Sequence, residues 1–163
     1  MTTILTLWCE LDREFPAPVW PEGASVRTYE PRDGEAVHAL LDEAYTWDAR
    51  HTPVAHAHWL RAMEGDSEFD PELWFVAERD GRLAGCALHW TGGWLKDLAV
   101  RTPERSRGLG RALVLTGIHE YASRGVHRVG LKVDADNPTG ALALYESIGF
   151  VRETPDPSWE RSR

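Results

Sequence analysis

Apolar and polar positions change period several times along the chain, and each change marks an element. Residues 25–29 (SVRTY) alternate as a strand, and the turn from Pro31 to Gly34 places Asp33 as a helix N-cap. Val37, Leu40, Leu41, Ala44 and Tyr45 then recur at helical spacing and define one apolar helix face. Thr52 and Pro53 form a cap and first-turn pair for a second helix that runs to about Met63. Three strands follow at 73–79, 82–90 and 94–100, joined through Asp80-Gly81 and Gly92-Gly93, so this part reads as an antiparallel meander. Leu109, Leu113, Val114, Gly117, Ile118 and Tyr121 restore a helical period. A β-rich run at 128–133 comes next, then a helix over 138–148 with Asn137 as N-cap, Pro138 at its first position and Gly149 just past its end. A strand, helix, strand succession of this length predicts a parallel crossover. The expected fold class is α/β (α+β): a mixed, mostly antiparallel central sheet flanked by about four helices. Residues 1–24, with Pro16, Pro18, Pro21 and Gly23, read as an extended N-terminal arm carrying a short strand at 4–8; residues 25–163 read as a single domain.

A chain of 163 residues and 18.4 kDa fits one domain with a sizeable core. At 42% hydrophobic and 27% charged it is neither disordered, collagen-like nor a disulfide scaffold. The net charge of −8 argues against coating nucleic acid or an anionic membrane, so neither is expected as a partner. That charge is uneven: residues 1–100 hold 18 acidic and 8 basic side chains, whereas Arg101, Arg105, Arg107 and Arg111 are opposed only by Glu104. Cys9 and Cys86 form no Cys-x-x-Cys motif. No basic segment precedes the apolar residues near the N-terminus, and no run of eighteen apolar residues occurs, so a reduced cytoplasmic protein is expected.

The arginines surround the loop Arg105-Ser106-Arg107-Gly108-Leu109-Gly110, between a strand end and a helix start. Glycines there let backbone N–H groups approach a ligand, and the helix aims its positive dipole end at the same spot, so a phosphate or pyrophosphate suits it. The plain alternative is a glycine-containing turn with solvated arginines. The loop is neither a Walker A sequence nor a dinucleotide fingerprint. Farther on, Ala141, Leu144, Tyr145 and Ile148 share one helix face, which carries Tyr145 toward the sheet, either as a proton donor in a cleft or as a core tyrosine with a partnered hydroxyl.

Taken in order, the strand LKDLAV, the loop RSRGLG and the later pattern NP-x6-Y-x3-GF resemble the GNAT superfamily of acetyl-CoA-dependent N-acyltransferases. Within it, LVLTGIHEYASRG with VDADNPTGALALYESIGF is most similar to the C-terminal domain of mycothiol synthases, which have two such domains. The resemblance implies acetyl-CoA as cosubstrate and no metal. It assigns the coenzyme A pyrophosphate to the backbone of Arg105, Ser106, Arg107, Gly108, Leu109, Gly110 and Arg111, and the pantetheine arm to Leu98, Ala99, Val100 and Asn137. It implies direct attack by an amine acceptor, a small molecule or a peptide amine, in a ternary complex. Tyr145 is then the general acid beside the sulfur. Asp97 is the leading general base, as related polyamine acetyltransferases carry acidic residues there; the alternatives are a pair with Lys96 or a loop arginine, or a water chain as base. A non-catalytic acyl-CoA-binding regulatory module is the competing reading, and the family allows for a homodimer.

The sequence departs from the superfamily at Ser106, where a glycine is usual, and after Phe150, where thirteen residues including Pro155 and Pro157 predict a short or missing final β-hairpin. Asp134 and Asp136 are placed to attract a cationic acceptor or to cap the turn before Asn137, the latter favoured for Asp136. His51, His56 and His58 fit no zinc spacing and are expected to be solvated. Trp47, Trp59, Trp74, Trp90 and Trp94, from a chain with 8 Trp, are expected mostly in the core, with one or two left to line a pocket.

Overall fold

The computed structural model describes residues 3–153. Seven strands form one sheet: β1 (Ile4–Glu10), β2 (Ala24–Thr28), β3 (Trp74–Arg79), β4 (Arg82–Trp90), β5 (Trp94–Val100), β6 (Arg128–Asp134) and β7 (Val151–Arg152), in the spatial order β2-β3-β4-β5-β6-β1-β7. Four helices flank it: α1 (Gly34–Ala44), α2 (His56–Glu64), α3 (Leu109–Ser123) and α4 (Ala141–Ile148). Every pairing is antiparallel except β5 with β6, as the strand, helix, strand pattern predicts. Apolar side chains divide between the two sheet faces. Leu109, Leu113 and Ile118 of α3 join Tyr145 and Ile148 of α4 on one side, while Val37, Leu40 and Leu41 of α1 pack with Trp59 and Trp74 on the other. No described helix is long and apolar enough to cross a membrane.

The N-terminal segment contributes more than a short strand. β1 runs seven residues and pairs along its whole length with β6, Ile4 opposite Asp134 through Glu10 opposite Arg128, and at Leu7 and Trp8 with β7. Only two residues of strand follow Phe150 among the described residues, and β1 lies between them and β6, where it completes the sheet. Pro155 and Pro157 lie outside the described residues. Arg13, beyond β1, donates to the carbonyl of Ile148 at 3.3 Å and so caps α4.

Three helix starts differ from the sequence expectation. Asp33 precedes α1, but its carboxylate turns back to the Glu30 N–H at 2.8 Å and to the Arg27 guanidinium, leaving the helix without a side-chain cap. Helix α2 starts at His56 rather than Thr52, because residues 48–51 make a turn and His51 is held by Asp42 at 2.9 Å. Helix α4 starts at Ala141: Asn137 closes a local turn on the Thr139 N–H at 2.9 Å, and Gly140, at φ +79, supplies the left-handed step into the helix.

Candidate active site

Strands β5 and β6 meet once, at Trp94 and Gly130, and then diverge. Each is paired on its outer side, β5 with β4 across one bulge and β6 with β1 along its whole length. Along the inner edge of β5 past Trp94, the backbone therefore faces a gap with no ladder partner, and buried backbone groups demand one. The gap opens into a cavity of about 560 Å³. Leu98, Ala99 and Val100 line one wall, Leu131 to Asp134 the other, and the loop before α3 with Tyr145 of α4 the end.

The loop is built as an anion cradle. Gly108, at φ +87, is the N-cap of α3 and makes no side-chain cap, so the first N–H groups of a fifteen-residue helix have no side-chain acceptor there. Gly110 sits against β5 and α4, where an added Cβ would reach Leu144 at 3.4 Å and Val100 at 3.7 Å. Ser106 takes φ +64, the left-handed conformation that a glycine adopts at lower cost. Arg105 donates Nε–H to the Val100 carbonyl at 3.1 Å and ties the loop to the strand end. Arg105, Ser106, Gly108, Leu109, Gly110 and Arg111 all line the cavity; Arg107 is exposed and does not. Asn137 lines it too, from its turn rather than from a helix cap.

Tyr145 is buried yet lines the cavity, and its hydroxyl bonds to no other described residue. Burial, with the negative charge of Asp97 second, holds its phenol above the ordinary range, so it keeps its proton. Asp97 lies on β5 past a bulge at Lys96, where Leu88 pairs with Asp97 but His89 pairs with Leu95. Its carboxylate is occupied: the Tyr45 hydroxyl donates to Oδ1 at 2.7 Å and Lys96 Nζ to Oδ2. Tyr45 and Lys96 line the cavity, whereas Asp97 lies beneath them.

The remaining candidates separate clearly. Asp134, not Asp136, caps the turn, accepting from the Asp136 N–H at 2.8 Å; its other oxygen takes Arg50 at 3.0 Å, a guanidinium that it shares with Asp48. His51 is half-buried on Asp42, and His56 buries Nδ1 without a partner beside His38 and Trp59, so only His58 is solvent-exposed as expected. No group of three or more His, Cys, Asp or Glu side chains among the described residues could hold a metal. Trp59 and Trp74 are core, and Trp47 lines the cavity. Sequence reasoning missed Tyr45, Arg50 and Lys132. Tyr45 carried a signal nonetheless, as the one hydroxyl on the apolar face of α1, with an aspartate in the strands that face must cover.

A mixed sheet split between two parallel strands, with a glycine-bearing helix start at the wide end and a proton-holding tyrosine inside, is the architecture of a GNAT-type fold. The chain belongs to the acetyltransferase (GNAT) family, whose family model matches residues 34–150. It is 39% identical to a mycothiol acetyltransferase of Thermobispora bispora over 99% of this chain and 59% of that protein. A second, from Thermomonospora curvata, is 36% identical over 91% of this chain and 51% of that one. The chain thus spans about half the length of the curated relatives it matches. Among solved structures, a GCN5-related N-acetyltransferase from Sphaerobacter thermophilus superposes with a TM-score of 0.78 at 35% identity, covering 93% of this chain and 49% of that one. The ribosomal-protein-S18-alanine N-acetyltransferase of Escherichia coli superposes at 0.62, with 27% identity over 80% and 79%.

Proposed function

We propose that this chain transfers an acetyl group from acetyl-CoA to an amine acceptor, a small molecule or a peptide amine, by direct attack in a ternary complex. The observation that carries the reading is the unpaired inner edge of β5, which ends at the anion cradle. An extended amide-bearing arm can complete the ladder at Leu98, Ala99 and Val100, with Asn137 on the opposite side, while its pyrophosphate meets the N–H groups of residues 105–111. Arg107, exposed at the rim, supplies charge to the solvent-facing end. Backbone N–H groups of the same strand stabilise the tetrahedral oxyanion. Tyr145, protonated and facing the cavity, gives its proton to the departing thiolate, and Asp97 is the sink for the proton of the acceptor. The relatives named mycothiol acetyltransferases make a mycothiol-type acceptor the first small molecule to try. A reduced, cytoplasmic setting suits Cys9 and Cys86, both buried and free.

Calorimetry with coenzyme A and thiol release from acetyl-CoA test the reading. Wild-type protein binds coenzyme A and turns over an amine. Tyr145→Phe keeps the binding and loses roughly 10²- to 10⁴-fold in kcat, the range of general acid–base catalysis. Unchanged turnover in Tyr145→Phe removes the acid role. Coenzyme A binding with no turnover on any amine favours a regulatory acyl-CoA-binding module.

A further inference from the structure

Asp97 is buried, and neither of its oxygens is free: one receives the Tyr45 hydroxyl at 2.7 Å, the other Lys96 Nζ. A base in that position does not meet an acceptor in the cavity directly. Tyr45 does line the cavity, at the C-cap of α1, and its hydroxyl donates to Asp97. We propose that Tyr45 is a catalytic residue that conducts the acceptor's proton to Asp97, so that the base of this site is a tyrosine–aspartate pair. The proposal rests on the acetyltransferase reading above.

The step balances as follows in the chemistry of an ammonium acceptor. One N–H bond breaks as the Tyr45 oxygen takes that proton, while the Tyr45 O–H proton moves to Asp97 Oδ1. The acceptor becomes a neutral amine and Asp97 a neutral carboxylic acid. The C–N bond then forms at the thioester carbonyl, the C–S bond breaks, and the thiolate takes the Tyr145 proton. The nitrogen sheds its second proton as the amide forms, and that proton restores Tyr145. Asp97 returns its own to solvent through Tyr45. The two tyrosines keep distinct roles because of their partners: Tyr45 is bonded to a carboxylate, and Tyr145 bonds to no described residue. Burial, then the Asp97 charge, holds the Tyr45 phenol protonated in the resting site, as a relay requires. The other titratable groups around the pair are Lys96, Tyr145, the buried Cys86 thiol and His51, whose ring lies 5.6 Å from that of Tyr45.

The test is a double-mutant cycle in the full chain, with glucosamine, spermidine and an alanine-initiated peptide as acceptors and thiol release as readout. Tyr45→Phe keeps the ring and removes the hydroxyl that relays and that bonds Asp97. It lowers kcat by roughly 10²- to 10³-fold and leaves the KM for acetyl-CoA unchanged. Asp97→Asn does the same, and the double variant is no slower than the slower single, because both lie on one path. The acid limb of the kcat/KM profile, present in wild type, moves or disappears in Tyr45→Phe. Wild-type turnover in Tyr45→Phe, or losses that multiply in the double variant, overturns the proposal. A wild-type protein that binds coenzyme A and releases no thiol with any of these amines overturns the acetyltransferase reading instead. The pair is then read without turnover, by the infrared carboxylate band of Asp97, assigned by its absence in Asp97→Asn. Loss of the Tyr45 donor shifts the carboxylate stretching band of Asp97 at constant pH, and an unmoved band overturns the pairing itself.

Discussion

His89 makes the stability of this fold depend on pH in a window that few other groups share. It is 2% exposed on β4, opposite the bulge that presents Lys96 and Asp97. Its Nδ1 lies 3.0 Å from the Leu73 carbonyl, and its ring packs edge-on to Phe75 and Tyr121. Gly117 of α3 makes room for the ring: a Cβ there would overlap it. Burial therefore lowers the histidine from its ordinary 6.5 to about 4, so it is neutral when folded. Between those two pH values the unfolded chain binds a proton that the folded chain refuses, and stability falls as the pH drops from 6.5 toward 4. At about 1.4 kcal/mol per unit, the loss is about 2–3 kcal/mol at pH 4.5 and about 3 kcal/mol at pH 4, with almost none above pH 7.

The comparison is His89→Asn, whose side-chain N–H can still reach the Leu73 carbonyl but has no proton to gain. Urea unfolding followed by tryptophan fluorescence at pH 7, 6, 5 and 4.5 gives both stability curves. The variant is less stable at pH 7 through lost ring packing, and the gap closes by about 2–3 kcal/mol at pH 4.5. Asp33 and Asp70, held below the usual carboxylate range by Arg27 and Arg124, lose their contribution at lower pH, and both proteins share that loss. Curves that stay parallel from pH 7 to 4.5 would refute the reasoning, since they require His89 to titrate alike in both states.

Two glycine positions give opposite predictions. Ser106→Gly relieves a residue held at φ +64 on the exposed loop; about 1–2 kcal/mol of conformational strain less about 0.5–1 kcal/mol of added unfolded-chain entropy leaves a gain near 0.5–1 kcal/mol, seen as a Tm rise of about 1–4 °C. A lower Tm would show that the serine hydroxyl contributes more than the strain costs. Gly149→Ala goes the other way, because position 149 has φ +126 and a Cβ there would overlap the Arg13 guanidinium. The expected loss is about 2–4 kcal/mol in chemical unfolding, from backbone strain and from the broken Arg13 cap on α4.

What the sequence made legible was local. Asp80 and Gly81, at φ +53 and +75, form the tight turn that their identities demand, and the glycines of the 105–110 loop lie at a helix start for the same reason. The apolar face of α1 is buried as its spacing predicts. Where local preferences compete, reading them in isolation failed. Asn137 followed by proline has the chemistry of a helix cap, yet its side-chain oxygen accepts from the Thr139 N–H and leaves the helix start to Gly140. The partners of Asp97 were half legible: Lys96 is its sequence neighbour, whereas Tyr45 stands 52 residues away and meets it only because α1 crosses β5. β1 is the extreme case, since its partners begin more than a hundred residues downstream and nothing in the residues before Glu10 names them.

The split that makes the site has its own sequence cause, at its apex. Trp94 of β5 and Trp8 of β1 meet edge to face, 5.7 Å apart, across Gly130 of β6, and Arg128 lies over the Trp8 ring at 3.9 Å. Any Cβ at 130 would overlap both indoles, so glycine there is what lets two large rings close over the one point where β5 and β6 still pair. Past that point β6 is held by β1 and β5 by β4, so neither strand needs the other to satisfy its outer edge. The gap then stays open because each wall is anchored away from it. β1 is thus part of the candidate site's architecture: it supplies Trp8 at the apex, Ile4 at the cavity wall and the pairing that holds β6 apart from β5.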